Sequence, residues 1–288
     1  MTKTKSNFYF IGFGNMAQAI YERMHKDAYK NIFIIENSDQ RIKEIKVISE
    51  GCYDFKLHPN TKIIKKISNY EYSIFDIILL AVKPAQIKSV CTELKNLIVK
   101  HQEPLIISIA AGVKSTKIKK DLGNYHSRNF LRAMPNLCAK KGMAITGFFG
   151  DSLWFGKKGG TFLGKLASKI FSPIGQVLWV DQESDLDIVT AISGSGPAYI
   201  YYIMNVMIDA AVEIGLKRSD AKRLVAQTII GAGETGKDID NLESEIIKVS
   251  SKGGTTEKAI SIFKQKKLDT IIKQAVKAAH KRSKELSK

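Results

Sequence analysis

Residues 8–17 limit the fold of this chain more than any other segment. The run Phe8-Tyr9-Phe10-Ile11 is apolar without alternation, as a strand covered on both faces must be. It passes directly into Gly12-Phe13-Gly14-Asn15-Met16-Ala17, a glycine turn that opens a helical pattern. Strand, tight turn and helix in that order begin a doubly wound α/β domain. Gly12 permits the sharp bend, Gly14 lets a phosphate approach the backbone, and the small Ala17 lets the helix pack on the strand. The helix start adds unpaired N–H groups and the positive end of its dipole. Gly12, Phe13, Gly14, Asn15 and Met16 are therefore candidates to hold the diphosphate of a nicotinamide or flavin nucleotide.

Similar apolar runs recur at 32–35, 77–82, 105–110, 130–133 and 144–149, with a last short one at 177–180. Segments 16–25, 39–49, 86–99 and 115–122 fit crossover helices between them. After Asp181 the strand patterns stop, and helices are expected at 183–192, 197–214, 219–235, 242–249, 255–266 and 268–286. The expected class is α/β: a Rossmann-like dinucleotide-binding domain over 1–180, then an all-helical dimerisation and substrate-binding domain over 181–288.

Strand carboxyl ends line the ligand crevice of such folds. Glu36 ends the second strand, where a carboxylate accepts hydrogen bonds from ribose hydroxyls and repels the extra phosphate of NADP; it also fits a solvated strand end. Asn37 and Ser38 suit that phosphate, and Arg41 lies one helical turn on, so the choice between NADPH and NADH stays open. Ala81-Val82-Lys83-Pro84 and Ala110-Ala111-Gly112 end two central strands with small residues that leave room for a nicotinamide. Lys83 fits either a site lysine or a loop residue.

In the second half, helix 197–214 confines its polar residues Asn205, Asp209 and Glu213 to one narrow stripe. A helix apolar nearly all round must be buried nearly all round. A second copy of the chain is the expected cover, with the centre of a monomeric bundle as the alternative. Pro197 suits a first helical turn and Ser219 a helix cap. Ser251-Lys252-Gly253-Gly254-Thr255-Thr256, leading into a helix, reads as a second anion trap or as an ordinary capping turn. As a trap it makes Ser251, Gly253, Gly254, Thr255 and Thr256 the candidates for holding a small carboxylate.

The net charge of +17 raises the question of nucleic acid. Only seven of the 45 basic residues are Arg, and the lysines are dispersed instead of forming one stripe, so a nucleic-acid partner is not expected. No segment offers the roughly 20 apolar residues needed to span a bilayer, and the polar start lacks a secretion signal. Three scattered cysteines (Cys52, Cys91, Cys138) build neither a disulfide framework nor a metal site. The chain reads as cytoplasmic, without metal and without membrane.

Six blocks, in order, resemble the pyrroline-5-carboxylate reductase family: residues 10–17, 81–84, 108–113, 132–136 (Arg-Ala-Met-Pro-Asn), 193–199 (Ser-Gly-Ser-Gly-Pro-Ala-Tyr) and 251–256. The resemblance implies hydride transfer from NADPH or NADH to the C=N carbon of a cyclic imino acid, giving L-proline. It implies an interlocked homodimer, with the active site between the nucleotide crevice of one subunit and the helical domain of its partner. It places Met134, Pro135 and Asn136 beside the nicotinamide and puts the substrate carboxylate on the backbone amides of 251–256. It also puts the Thr256 hydroxyl near the ring nitrogen, as the candidate catalytic and proton-relay group. The chain departs from the family at Leu137 and Cys138, at Lys252 where a proline is usual, and at Ile246 and Ile247 in place of a charged pair. Two alternatives therefore stand beside imine reduction. One is a β-hydroxy acid type dehydrogenase, for which Lys217 and Lys222 are available; the other is a non-catalytic dinucleotide-binding protein.

Overall fold

Short runs rich in isoleucine and phenylalanine suit pleated, covered strands, and such runs supply the centre of an eight-stranded sheet. In the computed structural model, which describes residues 6–51, 55–66, 76–98, 103–123 and 129–287, the strands are β1 (Phe8–Ile11), β2 (Ile32–Ile35), β3 (Thr61–Ile64), β4 (Ile77–Leu80), β5 (Leu105–Ser108), β6 (Phe130–Met134), β7 (Ala144–Gly150) and β8 (Gly175–Trp179). The chain's first five residues, Cys52 and Val99 lie outside the described residues. The strand order is β3-β2-β1-β4-β5-β6-β7-β8, parallel throughout except between β6 and β7. Ile11 of β1 stands opposite Ile35 on one side and Leu80 on the other, so three carboxyl ends finish at one level. The chain winds outward from β1 in both directions, which makes the β1–β4 boundary the switch point where ligands bind in such sheets.

Every residue of β1, β2, β4 and β5 is buried, as their unalternating sequences require. One face carries Phe8, Phe10, Ile20 and Tyr21 in a core that includes α1 (Asn15–Arg23) and α2 (Asp39–Gly51). The other carries Tyr9, Ile11 and Ile78 beneath α3 (Ile87–Leu97) and α4 (Ser115–Leu122). Toward the far edge follow α5 (Ser152–Phe155), α6 (Phe162–Phe171) and α7 (Asp185–Val189), the last running into a π-helical turn at Thr190–Gly194.

The chain divides into two compact units, Met1–Gly194 with His280–Lys288, and Ser195–Ala279. The division expected at residue 180 marks where the strands end, whereas packing assigns α7 and the last nine residues to the first unit. The second unit holds α8 (Gly196–Glu213), α9 (Arg218–Gly236), α10 (Leu242–Val249), α11 (Thr255–Gln265) and most of α12 (Leu268–Leu286). Pro197 occupies the first turn of α8. Ser219 is not a cap: the backbone is still extended at Lys217 (φ −64°, ψ 137°), so α9 begins a residue earlier than Ser219 and leaves it inside the first turn. Helix α8 packs on α9, yet no residue of α8 is buried, and Tyr202 and Ile214 are 74% and 88% exposed. Large apolar surfaces of this kind mark association sites, so the chain alone does not satisfy α8.

Candidate functional site

The glycine turn after β1 is built by two glycines with different reasons. Gly12 has φ +83°, and a Cβ there would lie 2.7 Å from the Val82 side chain and 3.0 Å from the Val82 amide. Gly14 has ordinary extended geometry (φ −78°, ψ −175°), and a Cβ there would meet nothing within 4 Å. The first glycine therefore serves the fold, and the second keeps space open over the turn. No side chain caps α1, so its first amides remain for a ligand. That open space, beside uncapped amides, fits the diphosphate of a dinucleotide. Phe13 contributes only backbone there, because its ring is buried against Phe10, Tyr21 and Phe55.

A cleft of about 710 Å³ crosses the carboxyl ends of β1, β2 and β4. Gly12, Phe13 and Gly14 line it, as do Glu36, Asn37 and Ser38 after β2 and Ala81, Val82 and Lys83 after β4. Arg41, Lys65, Lys66, Gln86 and Glu93 also line it, and of these only Arg41 is marked by the sequence. The two lysines follow β3, an edge strand that the sequence does not announce. The Glu36 carboxylate accepts hydrogen bonds from the Phe13 amide (3.4 Å) and the Ser38 amide (3.2 Å). Arg41 donates from Nε and Nη2 to the Phe13 carbonyl and from Nη1 to Glu44.

The remaining candidates lie outside this lining. Asn15 is exposed, Met16 packs against the core, and Pro84 opens a 3-10 turn ahead of α3. Ala110 is buried, Ala111 is exposed, and Gly112 (φ +73°) lies so near the Leu286 carbonyl that a Cβ would come within 2.9 Å of it. Met134 ends β6, and its terminal methyl faces Gly194. Asn136 is buried with both polar atoms used: Nδ2 donates to Ser193 Oγ at 2.8 Å, and Oδ1 accepts from the Cys138 amide. Asn136 thus shapes the wall at the end of β6 by tying it to the π-helical turn.

Nearby, Glu183 accepts hydrogen bonds from the Ser115 amide (2.6 Å), the Ser115 hydroxyl (2.9 Å) and Arg132 Nη1 (2.7 Å). Burial pushes the Glu183 carboxyl up, but these three donors together outweigh it and hold the group below the ordinary glutamate range. The cluster joins α4, β6 and the segment ahead of α7, and nothing in the sequence pattern announces it. Among the described residues no group of three His, Cys, Asp or Glu is placed to hold a metal ion.

The second unit carries the other anion candidate. Gly253 has φ +75°, and extended Gly254 takes the N-cap of α11 with no side chain capping the helix. The Gly254 amide donates to the Ser251 carbonyl at 2.9 Å, closing the turn. Thr255 and Thr256 are the first two helical residues, whose amides have no acceptor within the helix. Ser251, Gly253, Gly254, Thr255 and Thr256 therefore all meet at one helix start. The turn already receives one carboxylate, because the Gly253 amide donates to Glu257 Oε2 at 2.7 Å. Glu257 is a residue that sequence reading misses, although a Glu three positions after an N-cap is a recognised capping signal.

A switch-point cleft behind a glycine turn, followed by an all-helical unit with a bare apolar helix, defines a dinucleotide-dependent oxidoreductase with a helical association domain. Residues 183–286 match the family described as pyrroline-5-carboxylate reductase dimerisation, and residues 7–112 match the one described as NADP oxidoreductase, coenzyme F420-dependent. The chain belongs to the pyrroline-5-carboxylate reductase family. It is 32% identical to the pyrroline-5-carboxylate reductase of Pseudomonas aeruginosa, with 96% of each chain covered. It is 33% identical to pyrroline-5-carboxylate reductase 1 of Bacillus subtilis, covering 96% of this chain and 88% of that one. A solved structure of the Coxiella burnetii pyrroline-5-carboxylate reductase shares 30% identity and aligns with a TM-score of 0.79 over 99% of this chain and all of that one. A Plasmodium falciparum pyrroline carboxylate reductase, solved with NADP bound, is 25% identical and aligns with a TM-score of 0.78 over the whole of both chains.

Proposed function

We propose that this chain reduces 1-pyrroline-5-carboxylate to L-proline with NADPH or NADH, the last step of proline biosynthesis. The observation that carries this reading is the helix-start turn at Ser251–Thr256, which leaves the Thr255 and Thr256 amides without an acceptor in the helix, adds their two hydroxyls, and already binds the Glu257 carboxylate through the Gly253 amide. In the reaction, the C=N carbon gains a hydride while the ring nitrogen keeps one proton and becomes an amine. A bound dihydronicotinamide supplies the hydride.

This chain's residues bind and orient. Gly12, Gly14 and the uncapped start of α1 hold the diphosphate, and Glu36, Asn37 and Ser38 face the adenosine ribose. Ala81, Val82, Lys83 and Pro84 with Ala110, Ala111, Gly112 and Met134 form the nicotinamide side, with Gly112 backed by the Leu286 carbonyl. Asn136 holds that wall through Ser193. Ser251, Gly253, Gly254 and Thr255 bind the substrate carboxylate, and Thr256 Oγ1 holds the hydrogen bond to the ring nitrogen. A protonated imine is already electrophilic, so orientation supplies much of the rate and no dedicated acid–base pair is needed.

The chain works as a homodimer paired through its helical unit, whose apolar α8 needs cover. No helix among the described residues is long and apolar enough to cross a membrane, and we place the reaction in the cytoplasm. The test follows cofactor absorbance with 1-pyrroline-5-carboxylate as substrate, in the unmodified enzyme and in Thr256→Val. Turnover that the variant loses mainly through a raised KM supports the assignment. Turnover of a hydroxy acid, with none of the imine, overturns it.

A further inference from the structure

The sequence leaves the choice between NADH and NADPH open, because Glu36 argues for one while Asn37, Ser38 and Arg41 suit the other. The structure commits the two charged ones, Glu36 and Arg41. The Glu36 amide donates to the Ile64 carbonyl at 3.0 Å, so the residue still belongs to the β2–β3 pairing and its carboxylate stands on rigid backbone. That carboxylate is fixed across the glycine turn by the Phe13 amide (3.4 Å) and the Ser38 amide (3.2 Å). An ionised carboxylate only accepts, and it has about four lone-pair positions, so two remain for a ribose diol.

The two cations suited to a phosphate on that ribose, Arg41 and Lys65, are engaged elsewhere. Ser38 Oγ accepts from the Arg41 amide at 3.2 Å and keeps its O–H as a donor. The Arg41 guanidinium is spread over the Phe13 carbonyl, at 3.3 and 3.0 Å, and the Glu44 carboxylate, at 2.9 Å. Lys65, the first lysine after β3, is paired with Asp39 at 2.6 Å. Two of the cations on this rim are thus matched by acids of α2, while Glu93 adds a second carboxylate to the lining. Asn37 and Lys66 stay exposed at the edge.

From this geometry we infer that Glu36 sets nucleotide preference, so that the enzyme takes NADH ahead of NADPH. The inference rests on the cleft being the dinucleotide site. A phosphate on the ribose brings a charge near −2 at neutral pH to the place where the Glu36 carboxylate awaits hydroxyl donors. It displaces the diol that Glu36 is built to receive and meets an arginine already neutralised. NADPH therefore binds, but less tightly.

The test measures dissociation constants by calorimetry on the unmodified protein, without turnover, using ADP-ribose, 2′-phospho-ADP-ribose, NADH and NADPH as ligands. The expected result is roughly tenfold or greater preference for each ligand lacking the phosphate. Glu36→Gln keeps the shape and one acceptor but removes the charge, and it is expected to narrow that preference to within about threefold. Glu36→Ser serves as a second variant, and the fragment comparison on the unmodified protein needs no variant at all. Equal or tighter binding of the phosphorylated ligands, or an unchanged ratio in both variants, overturns the inference while leaving the cleft assignment standing. Failure of all four ligands to bind overturns both.

Discussion

Replacing Gly12 and Gly14 separately by alanine distinguish a glycine required by the fold from one required by the ligand. At Gly12 the added methyl meets the Val82 side chain at 2.7 Å and the Val82 amide at 3.0 Å, on a backbone held at φ +83°. A non-glycine residue in left-handed backbone costs about 1–2 kcal/mol, and overpacking against a fixed neighbour adds about 1–3 kcal/mol. Gly12→Ala is therefore expected to lose about 2–5 kcal/mol and to melt roughly 10 °C lower. At Gly14 the methyl meets nothing within 4 Å and the backbone is ordinary, so stability changes by no more than about 1 kcal/mol. That methyl nevertheless enters the space assigned to the diphosphate, and NADH affinity is expected to fall at least about tenfold. Thermal unfolding without ligand reads the first effect, and calorimetric titration with NADH reads the second. Equal melting temperatures for the two variants, or undiminished NADH affinity in Gly14→Ala, would refute the division of roles.

Three further outcomes are expected. Glu183 titrates below its unfolded value near 4.5, so its contribution to stability is present above that pH and is lost as pH falls through the lower folded value. Glu183→Gln leaves the Arg132 guanidinium buried without its anion and is expected to cost about 3 kcal/mol at neutral pH, with a flatter loss of stability on acidification; denaturant melts from pH 7 downward, with an unchanged curve, would contradict this. Glu257→Gln retains an acceptor for the Gly253 amide but removes a negative charge from the carboxylate turn, so KM for the imino acid is expected to drop about threefold with little change in kcat; a raised KM would show that Glu257 assists binding. Tyr202→Asp puts a charge on the bare face of α8, where Tyr202 is 74% exposed in the single chain, and sedimentation is expected to show monomers that keep NADH affinity; an intact dimer would move the pairing surface elsewhere.

Continuous apolar strands and the glycine turn are local signals, and those parts of the sheet could be read directly from residues such as Phe8–Ile11 and Ile32–Ile35. Thr61–Ile64 could not: it is an edge strand paired only with β2, and it mixes Thr61 and Lys62 with two isoleucines. Missing it also hid Lys65 and Lys66 at the cleft. Helix α6 was obscured by the glycines and lysines before it, although Thr161 caps it by accepting from the Gly164 amide, and Leu163, Ala167, Ile170 and Phe171 keep helical spacing. The candidate site divides in the same way. Gly12, Gly14 and the 251–256 turn carry their meaning in local backbone geometry. The bond from Asn136 to Ser193 and the grip of Glu183 on Ser115 and Arg132 join residues 51 to 68 positions apart, and only folding brings them together.

The central claim is that a hydrogen passes to the imine carbon of a carboxylate-bearing ring from a nicotinamide beside Ala81–Pro84, on a cofactor whose diphosphate lies over the Gly12–Gly14 turn. Reduced nicotinamide cofactor carrying deuterium at both C4 positions, incubated with the enzyme and 1-pyrroline-5-carboxylate, tests it most directly when the product is read by mass spectrometry and NMR. The account predicts L-proline carrying deuterium at C5, the ring carbon across the nitrogen from the carboxylate-bearing carbon. Unlabelled proline, or unreacted imine from an enzyme that demonstrably binds the cofactor, contradicts it.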